Sequence, residues 1–287
     1  MHLAEAKGLL SAQNGMNLYR GCTHGCIYCD SRSLCYGMQH AFEDVEVKAN
    51  APALLQAALR RKKRRCMIAT GAMSDPYWPG EAELLLTRRC LEIIEKHGFG
   101  LALQTKSAAL LRDVDLFASI NQKAKCVIQM TLTTFDEGLC SQVEPNVSTT
   151  KERVAALCAL TERGIPTVVW FTPILPYLND TPENIRGILS YCKEAGVKGV
   201  LYFGAGLTLR EGNREYFYEQ LDRLFPGLSE TYSRRFGAAY ICMSEREGEL
   251  GRFFQAECAR LGLWQGNEAI FQWMRTLEAR EEQTRLW

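Results

Sequence analysis

The sequence has no apolar run of about 18 residues, which excludes an ordinary membrane-spanning helix. It has almost no net charge, since 34 Lys and Arg stand against 33 Asp and Glu. No global field therefore argues for a nucleic-acid or membrane surface as partner. The start, MHLAEAKGLLSAQNG, lacks the charged opening, apolar stretch and small-residue cleavage site of a secretory signal, so the expected location is the cytoplasm. No stretch is rich enough in proline, glycine or serine to mark a linker between separate domains. With 287 residues the chain can bury one large core, or one core with an appendage.

Cysteine is what the chain does have: 12 residues. In an intracellular chain these are not a disulfide framework. Nine are scattered singly (Cys35, Cys66, Cys90, Cys126, Cys140, Cys158, Cys192, Cys242 and Cys258), mostly in apolar stretches, and read as small buried hydrophobes. Cys22, Cys26 and Cys29 differ. They stand as C-x3-C-x2-C in YRGCTHGCIYCDSRS. A structural zinc site wants four ligands, and no second half of a zinc motif follows. His24 sits inside the loop, where sharing a metal with its immediate neighbours would be cramped. A 4Fe–4S cluster commonly takes four cysteines, so three leave one iron open for a substrate or cofactor.

Apolar runs alternate with amphipathic stretches. RCMIAT (65–70), GLALQT (100–105), KCVIQMTLTT (125–134), IPTVVWFTP (165–173) and VKGVLYFG (197–204) are expected to be buried strands, with MNLYRG (16–21) a weaker first one. Helices are expected in PALLQAALRRKKRR, AELLLTRRCLEIIEKHG, SAALLRDVDLFASI, TKERVAALCALTERG and TPENIRGILSYCKEAG. Gly98, Gly164 and Gly196 act as stops, and Thr181–Pro182 as a start. About six such units imply a parallel sheet with helices outside, either a barrel or a doubly wound sheet, with chemistry on the loops after the strands. The cysteine loop follows the first strand. From about residue 205 the pattern turns helical.

The cysteine trio, with Tyr28 just before its last member, resembles the radical S-adenosylmethionine (SAM) superfamily. The segments NLYRGCTHGCIYC, GAMSDPYWPGEAELLLTRRCLEII, QTKSAALLRDVDLF, TLTTFDEGLCSQVEP and GIPTVVWFTPILPYLNDTPENI together resemble the spore photoproduct lyase-like group, over roughly residues 17–200. The resemblance implies an α/β fold: a partial parallel β/α barrel of about six strands over residues 1–204, and a helical C-terminal extension over 205–287. It also implies an enzyme with a 4Fe–4S cluster and SAM as cofactors. SAM would chelate the open iron, and its reductive cleavage would give a 5′-deoxyadenosyl radical for hydrogen abstraction. A flavodoxin or ferredoxin would supply the electron. By resemblance Cys22, Cys26 and Cys29 are the cluster ligands and Tyr28 packs near cluster and adenine. Ser74 and Lys106 contact SAM, Thr131 or Thr133 is a hydroxyl near the ribose, and Pro173 sits near the adenine.

Two positions depart from the group. Its hydrogen-donating cysteine, two residues before Ser74, is Ala72 here, and its tyrosine after the third cluster cysteine is Asp30. The cofactor half of the site matches and the repair half does not. The substrate is therefore open, with nucleic acid among the candidates and a DNA-lesion lyase as the alternative. A non-catalytic iron–sulfur electron carrier or binding protein is the alternative from another class. Cys242 is a speculative replacement hydrogen donor, weighed against a buried strand cysteine. Ser74 and Asp75 read equally as turn residues, Glu144–Pro145 as a loop anchor, and the run RRKKRR (60–65) as a solvated helix end. Tyr77, Trp78 and Tyr177 read as pocket-lining or as packing residues.

Overall fold

In a computed structural model, residues 1–277 are described; the last ten residues of the expected extension lie outside the described residues. The strands are β1 (His2–Ala4), β2 (Gly15–Met16), β3 (Tyr19–Arg20), β4 (Glu46–Lys48), β5 (Met67–Thr70), β6 (Gly100–Thr105), β7 (Cys126–Thr131), β8 (Thr167–Trp170), β9 (Gly199–Leu201), β10 (Gly206–Thr208) and β11 (Ile241–Met243). The helices are α1 (Ala51–Arg61), α2 (Glu81–Leu84), α3 (Leu86–His97), α4 (Val114–Lys123), α5 (Glu137–Val143), α6 (Thr150–Glu162), α7 (Pro182–Glu194), α8 (Asn213–Leu224), α9 (Leu228–Phe236), α10 (Glu247–Leu261) and α11 (Asn267–Arg275).

Six strands form one all-parallel sheet in the order β2-β5-β6-β7-β8-β9, as the alternation requires. Successive side chains on a strand point to opposite faces. One set (Ile68, Leu101, Leu103, Ile128, Met130, Val169, Val200) packs against the helices in the main core. The other (Met67, Ala102, Val127, Val168, Leu201) packs with Ile270 and Met274 of α11 and defines the inner face. Burial on both faces explains why these strands read as continuous apolar runs. Beyond β9, Val200 N donates to Trp264 O at 2.9 Å, so the following chain covers that sheet edge.

Helix signals read from sequence are realised at several ends. Thr181 accepts from Asn184 N ahead of Pro182, and Thr149 with Glu152 forms a capping box on α6. Gly98 closes α3 in the left-handed region.

Five expectations are corrected. MNLYRG is not one strand: Met16 pairs with β5, while Tyr19–Arg20 pairs antiparallel with β4 in a separate sheet, β1-β4-β3. AELLLTRRCLEIIEKHG breaks at Leu85, which has φ +50°. The buried Glu81 carboxylate causes the break, accepting from Leu86 N at 3.1 Å and Thr87 N at 3.0 Å and so capping α3. SAALLRDVDLFASI opens as a 3-10 turn over Ala108–Asp113 before α4. The first helix stops at Arg61, so most of RRKKRR lies beyond it. The C-terminal part is mainly helical, yet β10 and β11 form an antiparallel ladder within it.

Candidate active site at the carboxyl ends of the parallel strands

The cysteine loop leaves β3 through Gly21 and is pinned by backbone. Cys22 N donates to Phe42 O at 3.0 Å, and Ile27 N to Val143 O at 3.0 Å. Asn146 N donates to His24 O at 3.1 Å, and Asn146 Nδ2 to Thr23 O at 2.9 Å. Cys22 and Cys26 are buried, Cys29 is half-buried, and all three are free thiols. Burial, with the nearby Asp75 charge, pushes the Cys22 thiol up to about 12. Burial pushes Cys26 well above its ordinary value, and the other two thiols of the trio add to the rise. Such thiols become thiolates when a metal takes the place of their protons.

Asp75 joins this loop to the sheet. Its Oδ1 accepts from Thr105 Oγ1 at 2.6 Å and Tyr77 N at 2.8 Å; its Oδ2 accepts from Lys106 N at 2.7 Å and lies 3.5 Å from His24 Nδ1. The residue read as a turn residue or ligand is thus a connector between β6, the SDPY turn and the cysteine loop. Lys106 follows β6, with its Nζ 5.9 Å from the centre of the Tyr28 ring. Burial opposes its charge, but the neighbouring Cys26, Glu144 and Cys29 outweigh that and raise its pKa. Among the described residues no hydrogen-bond acceptor or carboxylate meets that ammonium.

A buried ion pair supports the loop from behind. Arg153 Nη2 lies 2.5 Å from Glu144 Oε2, and both side chains are fully buried. Arg153 Nη1 donates to Thr131 O at 2.8 Å, and the Tyr28 hydroxyl donates to Glu144 Oε1. Burial would raise the Glu144 carboxyl, but Arg153 and Lys106 hold it below its usual range. Strand β7, helix α6 and the loop aromatic are therefore one network.

The other residues expected in the site fall as follows. Ser74 Oγ and Thr133 Oγ1 are buried and have no hydrogen-bond partner. Thr131 Oγ1 accepts from Gln104 Nε2 at 3.5 Å. Pro173 follows a cis peptide bond just after β8. Cys242 lies in β11 among Leu207, Phe217 and Tyr232, its thiol 3.6 Å from Ala239 O, and does not line the inner-face cavity described below. Tyr77 and Trp78 are packing residues, with Tyr77 OH donating to Asp113 Oδ2 at 2.8 Å; Tyr177 is exposed.

On the inner face lies a cavity of about 560 Å³, lined in part by Ala69, Ala72, Ala102, Gln104, Gln129 and Trp170 and by Met274 of α11. The three alanines leave its space open. Trp170 Nε1 donates to Gln129 Oε1 at 2.9 Å. With Gln104 Nε2 turned to Thr131, Gln104 Oε1 remains as an acceptor and Gln129 Nε2 as a donor. Gly71 links this cavity to the Asp75 connector. Its φ is +96°, and a Cβ there would stand 1.9 Å from Gln104 O. Sequence reading missed Gln104, Gln129, Arg153 and the network role of Glu144. The signals were present: single glutamines inside apolar strands, and an arginine on the apolar stripe of α6 beside Val154 and Leu157.

The sequence profile of the radical SAM superfamily matches residues 16–192, more than half of the chain. This chain belongs to the radical SAM superfamily. It is 33% identical over 239 residues to an uncharacterized protein of Mycobacterium tuberculosis, covering 81% of this chain and 70% of that one. It is 34% identical over 176 residues to an uncharacterized protein of Methanocaldococcus jannaschii, covering 60% and 64%. Among solved structures it is similar to a mutant spore photoproduct lyase with bound AdoMet and dinucleoside spore photoproduct. The TM-score is 0.64 at 16% identity, over 87% of this chain and 74% of that one. A second spore photoproduct lyase mutant gives 0.66 at 15%, over 92% and 80%. At these identities the likeness is one of fold.

Radical SAM enzymes use a 4Fe–4S cluster and SAM, and this chain is an enzyme of that class. Its residues fit both groups. Three free thiols on one pinned loop could hold a cluster and would leave one of its irons without a protein ligand. The unpaired Lys106 ammonium suits a carboxylate, and the orphaned hydroxyls of Ser74 and Thr133 suit a polar ligand.

Proposed function

We propose that Cys22, Cys26 and Cys29 hold the cluster, and that SAM lies between it and the strand ends. Lys106 binds the SAM carboxylate, while Ser74, Thr131 and Thr133 offer hydroxyls to its polar groups. Tyr28, fixed by Glu144, packs beside both groups, and Pro173 borders the adenine side. When bound and reduced, the cofactor pair supplies homolytic cleavage of a carbon–sulfur bond and so the means to abstract a hydrogen atom. The chain's own part is to orient SAM, shield it from water and present a substrate. The observation that carries this reading is an unpaired, buried-side cation, Lys106, set beside three unbridged thiols at the carboxyl end of a parallel sheet.

The substrate enters the inner-face cavity below Ala72. A free acceptor on Gln104 and a free donor on Gln129, on neighbouring strands in register, suit an amide or lactam edge. Arg275 is the one charged side chain among the described residues lining the cavity, so the cavity suits a neutral group or one that carries negative charge near α11. Spore photoproduct lyase, similar in fold, binds a dinucleoside lesion, and a nucleobase carries such an edge. Ala72 and Asp30 argue against lesion repair that ends with a protein thiol at position 72. The electron comes from a low-potential carrier of the flavodoxin or ferredoxin kind, and the protein works in the cytoplasm; no described helix is long and apolar enough to cross a membrane.

Anaerobic reconstitution, reduction and addition of SAM should release 5′-deoxyadenosine, and addition of the true substrate should accelerate it. A chain that holds a full cluster and binds SAM but yields no 5′-deoxyadenosine with any reductant refutes the reading and favours an electron carrier.

A further inference from the structure

We infer a second metal site, for a divalent transition metal of the zinc type, built from His2, His40 and Glu46. The parallel ladder between β1 and β4 sets His2 in register beside Glu46. The segment between the cysteine loop and β4 brings His40 to the same place: its ring meets that of His2 edge-on at 4.8 Å between centres. One ligand atom from each of the three residues lies within 4.8 Å of the other two. His40 Nε2 and Glu46 Oε2 are already 3.8 Å apart. Bonds of about 2.0–2.1 Å at tetrahedral angles ask for ligand atoms about 3.4 Å apart, so small side-chain shifts close the site.

The tautomers are set for ligation. His40 Nδ1 lies 3.0 Å from Ala41 O, so Nδ1 carries the proton and Nε2 the lone pair. That Nε2 is buried and has no hydrogen-bond partner, a cost with no return unless something binds it. His2 Nδ1 lies 2.9 Å from Asp44 Oδ2, the carboxylate–histidine pairing that orients metal-bound imidazoles. Glu46 supplies the charge. Arg20, opposite it on β3, is turned away and donates to Tyr36 O at 2.8 Å. Two imidazoles and one carboxylate, without a thiol, suit zinc and its divalent neighbours, with water at the fourth position because the His2 side chain is 41% exposed.

The position gives the metal a structural consequence. His40 is two residues from Phe42, whose carbonyl accepts from Cys22 N at 3.0 Å. A Cβ on Gly21 would stand 2.3 Å from that same oxygen, so this segment lies directly behind the first cysteine of the trio. A metal joining β1, β4 and this segment braces that backing.

The test uses the full chain with its iron–sulfur cluster loaded anaerobically, so that the cysteine trio is occupied. Dialysis against Zn²⁺ and elemental analysis should find one zinc per chain beyond the cluster iron. Co²⁺ in its place should show ligand-field bands without a thiolate charge-transfer band. His40→Ala and Glu46→Gln should each weaken Zn²⁺ binding at least tenfold in chelator competition, and Asp44→Asn by about tenfold. If His40→Ala lost its cluster or its fold, His2→Gln at the exposed edge would give the same readout. No zinc beyond the cluster at micromolar free metal overturns the inference. So does a thiolate cobalt spectrum, or unchanged affinity in both histidine variants.

Discussion

Replacing Arg153 with leucine removes one side of a fully buried ion pair. The guanidinium bonds Glu144, Thr131 O and Cys140 Sγ at 2.5, 2.8 and 3.0 Å, all out of water. Its loss leaves the Glu144 carboxylate buried with the Tyr28 hydroxyl and the Cys140 thiol as its donors among the described residues, and with Lys106 as the remaining nearby cation. Breaking a buried pair from one side costs about 3–5 kcal/mol, because the surviving charge keeps its desolvation penalty. That is a large share of the roughly 5–15 kcal/mol that holds a typical domain together. Removing both charges, as Arg153→Leu with Glu144→Gln, removes the stranded charge as well. The double variant should be more stable than Arg153→Leu alone, with a coupling energy of about 2–3 kcal/mol. Urea unfolding of the reduced, cluster-free chain, followed by tryptophan fluorescence, measures all four corners of the cycle. The wild-type midpoint should be highest and that of Arg153→Leu lowest. An Arg153→Leu chain within about 0.5 kcal/mol of wild type, or a double variant that costs the sum of its singles, refutes the network. Because Tyr28 is held through Glu144, the same variant should also weaken SAM binding in the loaded enzyme.

The other predictions concern the two halves of the site. Cys22→Ala, Cys26→Ala and Cys29→Ala should each abolish SAM cleavage and lower iron from about four per chain, whereas Cys35→Ala should change neither, as read by iron analysis and 5′-deoxyadenosine release. Lys106→Ala should weaken SAM binding by about 1.5–3 kcal/mol, roughly tenfold to 150-fold, with iron content unchanged; equal affinity by equilibrium dialysis removes its role. Wild type should not restore thymine efficiently from a spore-photoproduct dinucleotide, and clean multiple-turnover repair would refute that. Ala72→Cys, which places a thiol on the inner cavity, should increase any trace repair relative to 5′-deoxyadenosine released.

How far the sequence foretold this depends on the range of each interaction. Strands β6 to β9 of the parallel sheet announce themselves because they are buried on both faces, so GLALQT reads as a strand without knowledge of its neighbours. The cysteine trio is legible because cluster ligation is written in adjacent residues. The split at Leu85 was hidden because its cause, the Glu81 carboxylate, is held by Tyr19 and Arg112 from other parts of the chain. Arg153 looked like one more polar residue on α6. Its place on the apolar stripe of that helix was the one local sign, and its bond to Thr131 O of β7 shows that it faces inward. The His2, His40 and Glu46 cluster was invisible for the same reason: His2 precedes His40 by 38 positions, and it is a parallel ladder of three residue pairs that sets His2 beside Glu46. The ladder between β10 and β11 escaped because each strand has three residues, too few for a period of two to register.

The two departures from the spore photoproduct lyase-like pattern do different things in the fold. Asp30 is committed to structure. Its Oδ2 accepts from Tyr36 OH at 2.6 Å, and its Oδ1 lies 3.5 Å from Arg210 Nε. Leu34 N donates to Glu211 O at 3.0 Å, so the chain after the cysteine loop is fastened here to the chain after β10. A carboxylate at this position holds two parts of the molecule together where a tyrosine would take part in chemistry. Ala72 leaves space, and it borders the cavity. Its methyl group holds its hydrogens too strongly to quench a substrate radical, whereas the S–H bond of a thiol is weak. The thiol that does border the cavity, Cys66, lies before the start of β5, while Ala72 follows its end. Four residue steps of about 3.3 Å, about 13 Å along the strand, separate Cys66 from Thr70. Direct hydrogen transfer does not cross that distance. The cofactor half of the site is therefore tied into the fold through Asp75, Glu144 and Arg153, and the substrate half is open and short of a hydrogen donor at its upper end. On the proposed reading, a reaction at this site would have to end without a thiol at position 72.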